Sequence, residues 1–291
     1  MIKLRVPATS ANLGPGFDCL GIALGVYNTF EITPADSFRL EGIPSEYQNE
    51  DNIFLQAYRK AGGTEPICVK FHYEIPISRG LGSSASLLTG GVLTAQLMNR
   101  SVDLQKAFQI VSDMEGHPDN AAPSVFGGLT ASMKGSSEWI TRSLPCSDLL
   151  RFTALIPDYE VLTAEARAIL PESYPRAVAA SNSGKAILVC EALSTGDIRL
   201  LKEAATDQIH EPYRRTLIPN FETARTIAEE DTGGVVVISG SGSTCLLISD
   251  RPLGDRAAFR IMTLPEHWAV QELPVCGGPE ILENDSWQTI I

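Results

Sequence analysis

The chain has 291 residues, of which 44% are hydrophobic and 20% charged, with a net charge of −12. That length accommodates two domains or one large one, in an ordinary globular composition. The negative balance excludes a generic nucleic-acid or anionic-membrane surface, since both reward basic patches. No apolar run approaches the roughly 20 residues of a membrane span, and no signal peptide is expected, because Met1 to Arg5 lead directly into a strand pattern. Six cysteines (Cys19, Cys68, Cys146, Cys190, Cys245 and Cys276) form no CxxC pair and four histidines form no HxxxH pair. They read as reduced thiols of a cytoplasmic protein, without structural zinc or thiol chemistry.

Ile2, Leu4 and Val6 alternate with Lys3 and Arg5, the pattern of a half-buried first strand. Residues 7–18 (PATSANLGPGFD) are too rich in Gly and Pro for a regular element, and their apolar content argues against disorder, so a functional loop is expected. Asn12 and Asp18 are its polar residues able to converge on a ligand, although both types are equally at home in turns. Residues 20–32 and 38–43 read as strands, and Asp51-Asn52 caps a helix running to residue 61.

An apolar run at 67–73 then leads into Pro-Ile-Ser-Arg-Gly-Leu-Gly-Ser-Ser-Ala-Ser (76–86), and the proline-free segment 83–99 reads as a helix. Strand, glycine loop and helix follow one another, with Ser83 and Ser84 on the first helical turn. Free N–H groups at a helix start carry partial positive charge, and glycines let an anion approach the backbone. The hydroxyls can cap the helix, bond a phosphate or reach a magnesium ion. A capped helix alone also begins Gly-Ser-Ser, and Gly80 to Ala85 satisfies the loose GxGxxG/A pattern. No regular strand–helix alternation surrounds the loop, however, and the only Gly-Lys pair (184–185) has Ala179 where a Walker A loop needs glycine.

Asp103 caps a second helix ending near Glu115, after which Glu-Gly-His-Pro-Asp-Asn (115–120) crowds polar groups at a helix end and opens a short helix. Glu115 is either a magnesium ligand, since Mg²⁺ takes one or two carboxylates plus phosphate oxygens, or an exposed surface glutamate. Residues 129–133 and 139–144 form a hairpin, and the pattern loosens at 145–150, giving expected domains 1–149 and 150–291. The second half opens with a strand at 152–156. A helix capped by Thr163 contains Arg167, a longer helix spans 176–193, and Asp197 caps the next. In the polar stretch 207–215 an arginine such as Arg214 is either a solvated charge or an anion clamp. A helix at 221–230 and a buried strand at 235–238 precede a second glycine loop, Ser-Gly-Ser-Gly-Ser-Thr (239–244), which permits close backbone approach. A strand at 245–248, one helix, one strand and a polar tail end the chain.

These three separated motifs, at 7–18, 76–85 and 239–244, together resemble the GHMP kinase superfamily of galacto-, homoserine, mevalonate and phosphomevalonate kinases. The wording of the first motif, Glu115 to Asn120, Thr163-x3-Arg167 with Leu170-Pro171, and His210 to Arg214 resemble its homoserine kinases. Ser241 and Ser243 depart from the Ala and Pro often found in the third motif. The resemblance covers nearly the whole chain. It implies an α+β fold of two domains, the first ribosomal-protein-S5-like and the second ferredoxin-like, with the active site between them. It further implies phosphorylation of L-homoserine by ATP with Mg²⁺, and a homodimer, since homoserine kinases are often dimers. Carried over by motif, the triphosphate falls on Arg79, Gly80, Leu81, Gly82, Ser83, Ser84, Ala85 and Ser86, and the metal near Ser84 and Glu115. Asn12, Asp18, Asn120, Arg167 and Arg214 fall where the amino acid is held, and Asn52 either approaches the adenine or caps its helix. The chemistry agrees: a carboxylate suits the acceptor's ammonium and guanidinium forks its carboxylate, while the two asparagines orient the hydroxyl. Asp119 is not expected to serve as a strong base. The rivals are a mevalonate-type kinase and a non-enzymatic sensor of the same fold.

Overall fold

The apolar alternation at positions 2, 4 and 6 continues further than its composition suggests. In the computed structural model, which describes residues 1–290, strand β1 runs over Ile2–Ala11. Pro7 is tolerated because the register to the next strand shifts between Pro7 and Ala8, a bulge where no ladder donor is needed. The loop expected from residue 7 therefore begins at Asn12. Next come β2 (Leu20–Pro34), β3 (Arg39–Glu41), helix α1 (Ile53–Lys60), β4 (Ile67–His72), helices α2 (Ser83–Met98), α3 (Leu104–Glu115) and α4 (Ala121–Phe126), and the hairpin β5 (Leu129–Lys134)–β6 (Trp139–Leu144). The second half contains β7 (Arg151–Ile156), α5 (Thr163–Ala168), α6 (Arg176–Thr195), α7 (Ile198–Ala204), α8 (Glu211–Arg214), α9 (Phe221–Thr232), β8 (Val235–Ile238), β9 (Cys245–Ser249), α10 (Asp255–Met262), β10 (Ala269–Glu272), β11 (Glu280–Glu283) and β12 (Ser286–Thr289).

Helix starts follow side-chain chemistry. Asn52 accepts from the Phe54 N–H (3.0 Å), Asp103 from Lys106 (2.9 Å) and Asp197 from Leu200 (3.0 Å), each satisfying a donor the first turn leaves free. Thr163 does not cap α5. Leu162 takes the extended backbone of the cap position, so Thr163 is already helical.

Two sheets result. The first has the order β12-β11-β1-β2-β4-β3, with β5 also on β2 and β6 on β5. The second is antiparallel in the order β10-β7-β9-β8, the arrangement of a ferredoxin-like βαββαβ unit. The stretch expected as a polar tail instead supplies β11 and β12 to the first sheet, so strands from beyond the 149/150 division pair with β1. Polarity concealed these strands because β12 is an edge with mostly exposed side chains. Arg5 fixes the addition: its guanidinium lies 4.3 Å from the Tyr27 ring and 4.4 Å from the Trp287 ring, and it pairs with Glu280.

Helices α1, α2 and α3 cover the first sheet over a core that includes Phe30, Phe54 and Phe71. A second core joins the two sheets, Ile22 and Leu24 of β2 meeting Phe152, Val237 and Leu246 together with Val189 and Leu193 of α6. Strand β8 alternates, Val235 and Val237 entering this shared core while Val236 and Ile238 face α9 and α10, as period-two geometry requires. Among the described residues no helix is long and apolar enough to cross a membrane. The loops that meet above the shared core are 12–19, 73–82 and 239–244.

Candidate active site

Gly82 caps the start of helix α2 with a φ of +66° that glycine adopts without strain, and Gly80 has φ +78°. A side chain is excluded at both for a second reason. A Cβ on Gly80 would lie 2.3 Å from the Ser239 carbonyl oxygen, and one on Gly82 would lie 1.9 Å from the Thr9 hydroxyl. The three glycine-bearing motifs thus interlock. Thr9 N–H donates to the Leu81 carbonyl (3.1 Å), Thr244 N–H to Arg79 (3.0 Å) and Gly240 N–H to Ala11 (3.1 Å). The Ser239 hydroxyl donates to the Gly80 carbonyl (2.6 Å) and lies 2.8 Å from the Ser10 hydroxyl. With the backbone so fixed, the unpaired N–H groups of the first turn of α2 face a cavity of about 540 Å³, a size suited to small-molecule ligands.

Across the cavity stand two arginines in different states. Arg167 of α5 forms a forked pair with Asp18 (2.8 and 3.1 Å), which raises its affinity for its proton. Arg214, at the end of α8 and 2% exposed, has no carboxylate at bonding distance among the described residues. Its Nε and one Nη donate to the backbone carbonyls of Ala166 (3.2 Å) and Gly240 (2.8 Å). Burial, with the Arg167 charge second, pulls its pKa down to about 10. A buried guanidinium with spare donors is an electrostatic demand for an anion. Asn12 is held in the left-handed region (φ 75°), its amide donating to Gly240 (2.9 Å) and accepting from the Asp18 N–H (3.1 Å).

Gly116 ends α3 in the left-handed conformation and turns the chain so that Glu115 faces α2, where it accepts a hydrogen bond from the Ser84 hydroxyl. Burial pushes the Glu115 carboxyl up, against the His117 charge and the Ser84 bond. His117 Nδ1 lies 2.6 Å from Asp119 Oδ1 and its Nε2 lies 3.9 Å from Glu115. Burial pulls the His117 pKa down, but the Asp119 bond and the two carboxylate charges outweigh it, and the net shift is upward. Asn120 accepts from the Thr9 hydroxyl (2.7 Å), beside Gly82.

One cavity therefore collects Asn12, Asp18, Asn52, Arg79, Gly80, Gly82, Ser83, Ser84, Glu115, Asn120, Arg167 and Arg214. Leu81, Ala85 and Ser86 do not line it. Leu81 is buried in the core shared by the two sheets, and the Ser86 hydroxyl turns inward between Asn28 (2.8 Å) and the Ser83 carbonyl (2.8 Å), so these residues offer backbone at most. Arg79 reaches Asp158 (2.9 Å) and Glu160 (3.2 Å), and a guanidinium so engaged is not a free phosphate ligand. Asn52 spends its carbonyl oxygen as the cap of α1 and donates to Tyr47. Sequence reasoning missed the cavity's apolar end, where Tyr47, Ile53, Tyr73, Ile77 and Leu87 gather, because Ile53, Tyr73 and Leu87 read as helix and strand filler, Ile77 as part of the phosphate loop, and Tyr47 fell in no element. It also missed the bracing role of Thr9 and Ser239, for which the repeated serines and threonines of the motifs were the available signal.

Residues 52–128 match the family model of the GHMP kinase N-terminal domain, and residues 189–263 that of the GHMP kinase C-terminal domain. A homoserine kinase of Clostridium botulinum (strain Okra / Type B1) is 37% identical over 285 residues, 94% of this chain and 96% of the relative. The crystal structure of homoserine kinase from Cytophaga hutchinsonii superposes with a TM-score of 0.82 at 26% identity, over 96% of each chain. Mevalonate kinase from L. major, at 13% identity and a TM-score of 0.72 over 94% of this chain and 96% of its own, shares the fold. A glycine-lined helix mouth sharing its cavity with a buried guanidinium that is bonded to backbone carbonyls, together with these likenesses along nearly the whole chain, places the chain in the GHMP kinase superfamily, among the homoserine kinases.

Proposed function

We propose that the chain transfers the γ-phosphoryl group of ATP to the side-chain hydroxyl of L-homoserine, giving ADP, O-phospho-L-homoserine and a proton, on the route to threonine. The observation that carries this reading is Arg214, a buried cation whose protein partners are two backbone carbonyls and which faces the cavity that the helix mouth also faces. A zwitterionic acceptor answers it, with its carboxylate shared by Arg214 and Arg167 and its ammonium on Asp18. The Asp18–Arg167 fork then serves as a self-paired reserve that the substrate's two charges replace. Asn12 and Asn120 border the space left for the hydroxyl. The apolar end of the cavity suits the nucleotide base.

Phosphoryl transfer asks chiefly for alignment and for neutralisation of charge. The amides at the start of α2 supply fixed positive potential to the phosphates. The pairing of Ser84 with a largely buried Glu115, whose nearest cationic neighbour is the His117 ring nitrogen at 3.9 Å, fits a hard divalent ion. Those two residues would hold Mg²⁺, which supplies charge neutralisation on the phosphates. Asp119 Oδ1 is taken by His117 and by the Asn120 N–H (3.0 Å), so it orients these groups, and the transfer requires no strong protein base. The six unpaired cysteines fit a reducing compartment such as the cytoplasm.

ADP release measured with ATP, Mg²⁺ and a panel of hydroxy acids tests the reading. ADP release that depends on L-homoserine is expected. Release with mevalonate in place of homoserine, or nucleotide binding without turnover on any acceptor, would contradict it.

A further inference from the structure

Like charges in one low-dielectric wall repel, and Arg167 is the second-largest influence lowering the proton affinity of Arg214. Asp18 compensates Arg167 through two hydrogen bonds, whereas Arg214 feels the Asp18 charge from a distance and makes no hydrogen bond to it. What both share is an aromatic ring. The guanidinium carbon of Arg214 lies 5.1 Å from the centroid of Phe17, and that of Arg167 lies 5.7 Å from it, both within cation–π range. His210 stacks on Phe17 at 5.2 Å with planes 26° apart, and its Nε2 is 2.9 Å from the Gly14 carbonyl, which anchors the ring to its own loop. Phe17 is not among the residues lining the cavity. It stands behind the arginines and acts through them.

From this geometry we infer that Phe17 is a positioning residue, whose π-face holds Arg167 and Arg214 together as one carboxylate-binding fork and so sets acceptor affinity. The inference deepens the homoserine reading and rests on it. An aliphatic side chain of similar volume would fill the space without offering a negative face, leaving the repulsion between the two cations uncompensated on that side. The ring sits one residue before Asp18 on the same loop, so a single segment places both the group for the acceptor's ammonium and the platform for its carboxylate.

The test replaces Phe17 with phenylalanines of rising fluorination, which drain electron density from the ring face while nearly preserving its shape, beside Phe17→Tyr and Phe17→Leu. The homoserine KM should climb stepwise with fluorination and by roughly tenfold in Phe17→Leu, while Phe17→Tyr stays near the parent value. The ATP KM, and the rate with 3-amino-1-propanol, which lacks the carboxylate, should change little across the series. Equal homoserine KM values throughout the fluorinated series would overturn the inference, even if Phe17→Leu were impaired, because a packing role ignores ring electronics. So would a parallel rise in the ATP KM. Failure of the unsubstituted protein to phosphorylate homoserine would instead refute the functional reading beneath it.

Discussion

The two ends of the cavity are built in opposite ways. The end proposed for the phosphates is made of contiguous backbone, a glycine loop and one helix start, and its side chains matter mostly by being absent. The end proposed for the acceptor is made of side chains brought from four distant segments, at Asn12 and Asp18, Asn120, Arg167 and Arg214. The first kind of site tolerates a change of charge and fails with an added methyl group. The second tolerates some repacking and fails when one charge is removed.

The comparison is broken most severely at Arg214. Arg214→Ala should lower kcat/KM for homoserine by about 10²–10³, the equivalent of ~3–4 kcal/mol for losing a buried charged contact, with ATP affinity unchanged. Arg214→Lys should rescue little of it, because an ammonium cannot fork. Isothermal titration with an ATP analogue, beside steady-state kinetics, separates the two ends.

Gly80→Ala should produce the opposite pattern. Its Cβ would meet the Ser239 carbonyl at 2.3 Å, at a φ of +78° that alanine resists. Nucleotide affinity should fall by at least about tenfold together with thermal stability. Unchanged ATP binding would show that the interlocked loops do not set the phosphate end.

Asp119→Asn should cost less than either arginine, about tenfold in kcat, since Asp119 orients His117 and Asn120 instead of taking the acceptor's proton. Complete loss of turnover with ATP still bound would make Asp119 the base.

The effect with the least consequence for turnover is on the pH dependence of stability. Burial raises the Glu211 pKa to about 8, and its carboxyl accepts from the Ile238 N–H (2.7 Å) where β8 enters the second glycine loop. A carboxyl that holds its proton more tightly when folded makes the folded state bind more protons, so stability falls as pH rises from its ordinary 4.5 towards about 8. Glu211→Gln should flatten that decline by up to ~1.4 kcal/mol per pH unit, measured as Tm against pH. An identical slope in the variant would remove Glu211 from the account.

How much of this was legible beforehand follows the same division. Asn52 acts two residues from where it stands, and Gly80, Gly82 and Ser84 belong to a strand, loop and helix start written contiguously, so spacing and capping rules reach them even though their packing partners Ser239, Thr9 and Glu115 lie elsewhere. The strands and most helix starts were legible for that reason, while β11 and β12 were not, because an edge hairpin gains its partner only in three dimensions. Arg167 and Arg214 were ambiguous by composition, each as plausible on the surface as in a clamp, and a family resemblance was needed to bring them together. Phe17 gave no local sign at all. Its work lies in two guanidiniums that are distant along the chain.

The central claim is that helix-mouth amides hold the nucleotide's phosphates while Arg167 and Arg214 hold the acceptor's carboxylate. A crystal structure with L-homoserine and a non-hydrolysable ATP analogue tests it most directly. The account predicts both guanidiniums on the homoserine carboxylate, its ammonium on Asp18, and its hydroxyl directed at the γ-phosphate above the start of α2. Homoserine bound with its carboxylate away from both arginines, or phosphates lodged away from residues 80–84, would contradict it.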